Sequence, residues 1–221
     1  MLHEWGIMKA FITFEGIEGC GKTTQIRMAG DDLRKRRIPV LVTEEPGGAP
    51  LGKHIRKLLL NQGDCRIDAK AELLLFAAAR AQHVQEVILP ALAADRVVLC
   101  DRFSDATLVY QGFGRGLDLE FIRSLNAFSA AALRPDLTLL FDLPVETGLG
   151  RAISRIAHIR GALREDRFER EDRAFHQRIR DGYLSLAGDE PERFRVIDAS
   201  RDVQTIHQEV CAILGAVENF A

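Results

Sequence analysis

Several absences narrow this 221-residue chain before any motif does. Its four cysteines, Cys20, Cys65, Cys100 and Cys211, are widely spaced and form no C-x-x-C pair. That argues against a disulfide framework or a zinc site and fits free thiols in a reducing cytosol. No apolar run approaches the roughly 20 residues that cross a bilayer. The opening "MLHEWGIMKAF" lacks the cationic start and apolar run of a secretory signal, and Met8 could serve as an alternative start. A soluble, cytoplasmic protein without membrane contact is therefore expected. A basic surplus is also missing: the net charge is −2 and the pI about 6.3, which speaks against nucleic acid as a partner. Lysine is scarce, six residues against 24 arginines. This reads either as a base-composition bias or as a supply of planar forks for phosphate and carboxylate. Without a low-complexity linker, internal repeat or break in composition, residues 1–221 are expected to form one domain.

What the chain does contain is alternation. "AFITFEG" (10–16), "IPVLVTEE" (38–45), "RVVLCDR" (96–102), "LTLLFDL" (137–143) and "RFRVIDAS" (193–200) read as strands buried on both faces. Amphipathic stretches separate them, including "GKTTQIRMAGDDLRKRR" and "DAKAELLLFAAARAQHVQEVILPALAA". The expected class is α/β, a mostly parallel sheet with helices on both faces and ligands beyond the carboxyl ends of the strands. Several strands end in charge, at Glu15, Glu44, Glu45, Asp101, Arg102, Asp142 and Asp198. Returning polarity ends any strand, but a shared crevice would gather these groups.

"GIEGCGKT" (16–23) matches G-x-x-x-x-G-K-[ST], between an apolar strand and an amphipathic helix. Gly16, Gly19 and Gly21 let backbone N–H groups converge on phosphate oxygens, and the following helix adds its positive end. Lys22 is expected to reach the β- and γ-phosphates and Thr23 to ligate Mg²⁺. The nucleotide-binding set is thus Gly16, Ile17, Glu18, Gly19, Cys20, Gly21, Lys22, Thr23 and Thr24, with Cys20 a small filler. No N-K-x-D segment is present to read guanine, since neither Asn61 nor Asn126 precedes a lysine. A phosphate cradle nonetheless holds a carboxylate at Glu18, with another at Glu15 just before it.

From "FITFEGIEGCGKTT" through "EEPGGAPLG", "AELLLFAAARAQH", "LCDRFSDATLVYQGFGRG" and "RPDLTLLFDLPVETGLGRA" to "GYLSLA" and "VIDAS", the chain resembles the bacterial thymidylate kinases almost end to end. The resemblance implies a P-loop nucleotide kinase fold with a five-stranded parallel sheet. It implies transfer of the ATP γ-phosphoryl group to dTMP, giving dTDP and ADP with Mg²⁺, by a homodimer. It places Glu18 on the 3′-hydroxyl of the acceptor, while Glu15 either fixes the loop or serves the metal's water shell. Asp101, at a strand end, would order Mg²⁺ or its waters, and Arg102 would grip the acceptor phosphate. Phe76 would stack on thymine, and Arg80, one helical turn on, would reach a thymine carbonyl. Pro46, Arg56, Thr107, Tyr110 and Gln111 would complete the acceptor site. Residues 151–172 would form a lid in which Arg155 or Arg160 closes over the β- and γ-phosphates and Arg151 packs near adenine. Gly19 stands where some members carry a catalytic arginine, so here the lid must supply it.

Bland readings stand beside these. Glu18 could be a solvated loop carboxylate, Asp101–Arg102 a strand-end ion pair, Phe76 a core residue, and most arginines of 151–180 members of i,i+4 pairs. The chain also departs from its family. Glu44 replaces an arginine in "TEEPGG", Ala106 replaces a common serine, and the lid insertion "IAHIRGALRE" is long. Weaker dTMP binding is expected, improved by Glu44→Arg. The alternatives are a kinase for another pyrimidine nucleoside monophosphate, or a non-catalytic ATP-binding regulator.

Overall fold

A computed structural model of the chain describes residues 10–60, 66–157 and 167–217. Strand β1 (Phe11–Glu15) leads through the phosphate loop into α1 (Lys22–Lys35) and β2 (Val40–Glu44). Helices α2 (Pro50–Leu60), α3 (Ala69–His83) and α4 (Leu89–Ala93) carry the chain to β3 (Val97–Asp101). Next come α5 (Ser104–Thr107), α6 (Leu119–Ser129) and β4 (Leu137–Asp142). The chain then runs through α7 (Val145–Ala157), α8 (Arg173–Asp189), β5 (Phe194–Asp198) and α9 (Val203–Val217). The sheet order is β2-β3-β1-β4-β5 and every neighbouring pair is parallel. This is the five-stranded parallel sheet expected from the sequence.

Side-chain alternation sorts the core. Ile12, Phe14 and Leu99 cluster with Ile26, Leu33, Ile206 and Val210, residues of α1 and α9. Phe11, Val98 and Cys100 cluster instead with Val84, Ile88 and Ala91, from the α3–α4 region. Helices therefore cover both faces. The expectation of strands buried throughout holds for β1, β3 and β4, but β2 and β5 are edges, and Val196 is half exposed. The long apolar pattern after Asp68 is helical, yet a π turn interrupts it over Val84–Ile88, where Leu89 N–H bonds the Val84 carbonyl. Pro90 follows at once; it has no N–H to offer the preceding turn.

Asp68, Asp118 and Asp172 cap α3, α6 and α8, each accepting a backbone N–H from the first turn. From β1 the chain crosses towards β2, whereas from β3 it crosses towards β4 on the other side. The two strands are neighbours, so their carboxyl ends flank the crevice at which α/β sheets bind ligands. Register aligns Glu44 and Phe14 with Asp101, which brings the ends of β2, β3 and β1 side by side, with Glu15 one residue beyond Phe14. Asp142 and Asp198 align on the far side of the sheet. There Asp142 is held bidentately by Arg180 (2.7 and 2.8 Å), away from the crevice.

Candidate active site

The loop after β1 has the backbone that glycine permits. Gly16, Gly19 and Gly21 adopt φ of 140°, 73° and 93°. At Gly19 a Cβ would lie 2.0 Å from the carbonyl oxygen of Gly148 on α7. An arginine at Gly19 is thus sterically barred, and α7 lies directly against the loop. Lys22 Nζ donates to the carbonyls of Gly16 (3.1 Å) and Ile17 (3.0 Å), inside the loop's curve. Cys20 and Ile17 are buried fillers, and Thr24 N–H bonds the Gly21 carbonyl in the first turn of α1. The Thr23 hydroxyl donates to Asp101 Oδ2 (2.7 Å), joining the loop to the end of β3.

Glu18 points away from this curve. Its Oε1 accepts from Arg102 Nη2 (2.9 Å) and from the Tyr110 hydroxyl (2.5 Å). The Arg102 guanidinium also lies 4.6 Å from the centre of the Tyr110 ring. Burial alone would raise the Glu18 carboxyl, but the Arg102 guanidinium, with Lys22 and the Tyr110 hydroxyl, outweighs it and holds the group well below the usual carboxylate range. A solvated loop carboxylate is ruled out. Arg102 itself has φ 69°, a strained value for a residue with a side chain, and its N–H bonds the Phe14 carbonyl (3.0 Å). Glu15 supports that turn: its Oε1 accepts the Phe103 N–H (2.8 Å) and its Oε2 the Tyr183 hydroxyl (2.7 Å). Fully buried, it fixes the loop after β3 rather than facing the crevice.

A cavity of about 420 Å³ runs from the phosphate loop to the π turn Leu108–Gly114 that follows α5. Glu18, Lys22, Thr23, Asp101 and Arg102 line one end, and Pro46, Phe76, Thr107, Tyr110 and Gln111 the other. Ala106, Arg80 and Arg155 also reach the wall. Glu44 is there too, but its carboxylate meets Arg56 Nη1 (3.2 Å), which also donates to the Pro46 carbonyl (2.9 Å). Arg56 thus offsets the repulsion that Glu44 would exert on an anion. Arg80 is 1% exposed and bonds Glu45 (2.8 Å), Asn126 (2.6 Å), Thr107 (2.7 Å) and the Phe103 carbonyl (3.2 Å). Four of its five N–H groups are thereby engaged, so it organises the pocket wall. Arg155 lies 3.5 Å from Glu169, whereas Arg151 donates to the Ala199 carbonyl (3.1 Å) outside the cavity. Arg160 and most of the lid insertion fall outside the described residues.

Some of the site escaped the sequence reading. Leu60, Ile156, Phe168 and Glu169 line the cavity, and Phe168 packs edge-on against Tyr110 (5.4 Å between ring centres). Buried Glu72 collects Gln111 (2.8 Å), Arg115 and Arg167, tying α3 to the π turn and to the later part of segment 151–172. His83 bridges Glu45 (3.0 Å) and Thr43 (2.7 Å) beneath the pocket. His176 stands beside Glu18. All these partners are dozens of residues apart in sequence, and only Glu45, as a strand-end charge, gave any local sign.

Known proteins are similar to this chain in sequence and in fold. The thymidylate kinase family model matches residues 14–210. A thymidylate kinase of Syntrophus aciditrophicus is 61% identical over 204 residues, covering 92% of this chain and 93% of its own. One from Geobacter sulfurreducens is 57% identical over 207 residues, covering 94% and 97%. The crystal structure of thymidylate kinase from Ehrlichia chaffeensis superposes with a TM-score of 0.73 at 33% identity, over 94% of this chain and 99% of that one. With a family match over most of the chain and relatives this similar over nearly their whole length, the chain is a member of the thymidylate kinase family.

Proposed function

We propose that the chain transfers the γ-phosphoryl group of ATP to dTMP, giving dTDP and ADP. The Glu18–Arg102–Tyr110 cluster carries this reading, because it joins a phosphate loop and an aromatic acceptor pocket within one cavity. Phosphoryl transfer asks a protein for alignment and charge neutralisation rather than covalent chemistry. Gly16–Thr24 would cradle the donor phosphates through backbone N–H groups, with Lys22 redirected from its loop carbonyls to phosphate oxygens. Arg102, braced by Glu18 and by its fixed backbone, would hold the acceptor phosphate beside the loop. Phe76, Pro46, Thr107, Tyr110 and Gln111 would take the nucleoside, with Arg80 ordering their wall. Arg155, in the proposed lid 151–172, would swing from Glu169 to the transferring group, and Arg151 would lie nearer adenine.

Thr23 and Asp101 fit a divalent cation: a hydroxyl and a carboxylate oxygen 2.7 Å apart suit a hard ion that keeps most of its waters and phosphate ligands. Among the described residues no group of three or more His, Cys, Asp or Glu forms a fuller cage. Mg²⁺ bound there would neutralise charge on the donor phosphates. Among the described residues no helix is long and apolar enough to cross a membrane, and the buried free thiols of Cys20 and Cys100 suit the cytoplasm. The proposed assembly is a homodimer.

The deciding measurement is coupled ADP release with Mg²⁺-ATP and dTMP, dUMP, dCMP, dAMP, GMP or no acceptor. Turnover is expected to be strongest with dTMP and lost when Mg²⁺ is chelated. A preference for another monophosphate would move the substrate and point to Glu44 and Ala106. ADP release with none of them would overturn the reading.

A further inference from the structure

Two buried polar groups at the centre of the site face each other without a hydrogen bond. Arg102 and Tyr110 occupy Oε1 of Glu18, whereas Oε2 has no hydrogen-bond partner among the described residues. His176 Nδ1 lies 3.3 Å from that Oε2 but is not aligned for a hydrogen bond, and the ring's Nε2 has no partner either. Glu18 is 8% exposed and His176 1%, so solvent does not substitute for the missing partners. Buried polar groups are rarely left this way, and two such atoms within reach of each other form a contact that a small shift completes.

His176 is well placed to complete it. It sits in the first turns of α8, whose start is fixed by the Asp172 cap on Phe175 N–H (2.6 Å). Phe175 and Tyr183 of the same helix pack against Tyr110, the other ligand of Glu18. A carboxylate held only through Oε1 can turn about its last side-chain torsion. Held from Oε2 as well, it keeps one plane, and the direction in which the carboxylate faces the cavity is fixed. We propose that His176 is a positioning residue for Glu18, donating from Nδ1 to Oε2 so that the carboxylate keeps the orientation in which it takes the sugar hydroxyl of the acceptor nucleotide. This rests on the reading in which Glu18 takes that hydroxyl.

The test compares dTMP with its 3′-deoxy analogue, at saturating Mg²⁺-ATP, in the full chain. His176→Leu is expected to raise the KM for dTMP about tenfold, with kcat and the KM for ATP within about twofold. The same variant should leave the KM for the 3′-deoxy analogue within about twofold, because the affected hydroxyl is missing. His176→Asn, which keeps a donor near the Nδ1 position, should restore most of the dTMP KM. If the leucine variant does not fold, His176→Gln, whose donor is displaced from Nδ1, replaces it and should show the same hydroxyl-specific loss. Equal penalties on both acceptors would make His176 a packing residue and overturn the proposal. Glu18→Gln separates the two levels. If Glu18→Gln penalises dTMP more than the 3′-deoxy analogue while His176→Leu penalises both acceptors equally, the Glu18 reading stands and the His176 proposal falls. If Glu18→Gln itself treats both acceptors alike, the Glu18 reading fails and the proposal with it.

Discussion

Glu15 and Glu18 are three residues apart and both buried, yet their carboxyls are driven in opposite directions. Burial raises each. At Glu18 the Arg102 guanidinium reverses the effect. At Glu15 Asp105 adds to it, and the bonds from Tyr183 and Phe103 only moderate the rise to about 8, from an ordinary 4.5. Glu15 is therefore a neutral acid in the folded protein at pH 7 and an anion in the unfolded chain. A folded pKa above the unfolded value means that folding takes up a proton between pH 4.5 and about 8, so this contribution to stability is full below that window and is lost as the pH rises through it. The slope is at most about 1.4 kcal/mol per pH unit. Glu15→Gln replaces the neutral acid with an amide of the same shape, able to accept from Phe103 N–H and donate to the Tyr183 oxygen. Urea unfolding at pH 5.5, 7.0 and 8.5 should show wild-type stability falling relative to Glu15→Gln across that range. Parallel profiles for the two proteins would show that Glu15 is ionised when folded.

At the scale of elements, the phosphate loop and α7 act as one piece. Gly19 approaches Gly148 from one side, and a Cβ on Gly148 would lie 2.6 Å from the Glu18 carbonyl oxygen and 2.9 Å from Ile17 Cδ1. The Glu18 carbonyl is backbone of the loop itself and cannot step aside without moving the carboxylate beyond it. Gly150, two residues on, faces open space. The pair makes a controlled prediction on one helix. Gly148→Ala should lower Tm by several degrees, from about 1–3 kcal/mol of overpacking, and reduce kcat/KM for ATP and dTMP together. Gly150→Ala should raise stability by about 0.5–1 kcal/mol through helix propensity and leave kinetics alone. Equal behaviour of the two in thermal melts and in the ADP-release assay would show that the loop tolerates movement of α7. This contact could not be read from the sequence, because a glycine at a helix surface and one at a backbone crossing look the same in one dimension. The strands were legible to within one to three residues, since apolar runs bounded by charge leave little freedom. The π turns were not, as their wide hydrogen bonds leave no periodicity of their own.

For the whole molecule, legibility follows sequence distance. The phosphate loop and the Asp101–Arg102 step could be read because each is contiguous and chemically specific. Family resemblance pointed to Phe76, Arg80 and Tyr110. Nothing local announced the clasp of Glu72, Arg115 and Arg167 or the approach of His176 to Glu18, which span up to 158 positions and exist only after the sheet has ordered its helices. Assembly is the next scale, and here the surface speaks. On α6, Phe121, Leu125 and Phe128 follow i, i+4, i+7 spacing. Phe121 is 57% and Phe128 84% exposed, and Leu74 on neighbouring α3 is 55% exposed. Large apolar side chains grouped on two packed helices are costly to leave in water and suit a self-complementary interface. Because α3 also carries Phe76 and Arg80 into the cavity, a partner covering this face would stiffen the wall that takes the nucleoside. Sedimentation equilibrium at micromolar concentration should give a dimer for the wild type. Phe128→Glu, which would place a charge in that interface, should give a folded monomer with a raised KM for dTMP and an unchanged KM for ATP. A monomeric wild type would remove the dimer, and a monomeric variant with unchanged kinetics would show that α3 holds the pocket without help from a second copy.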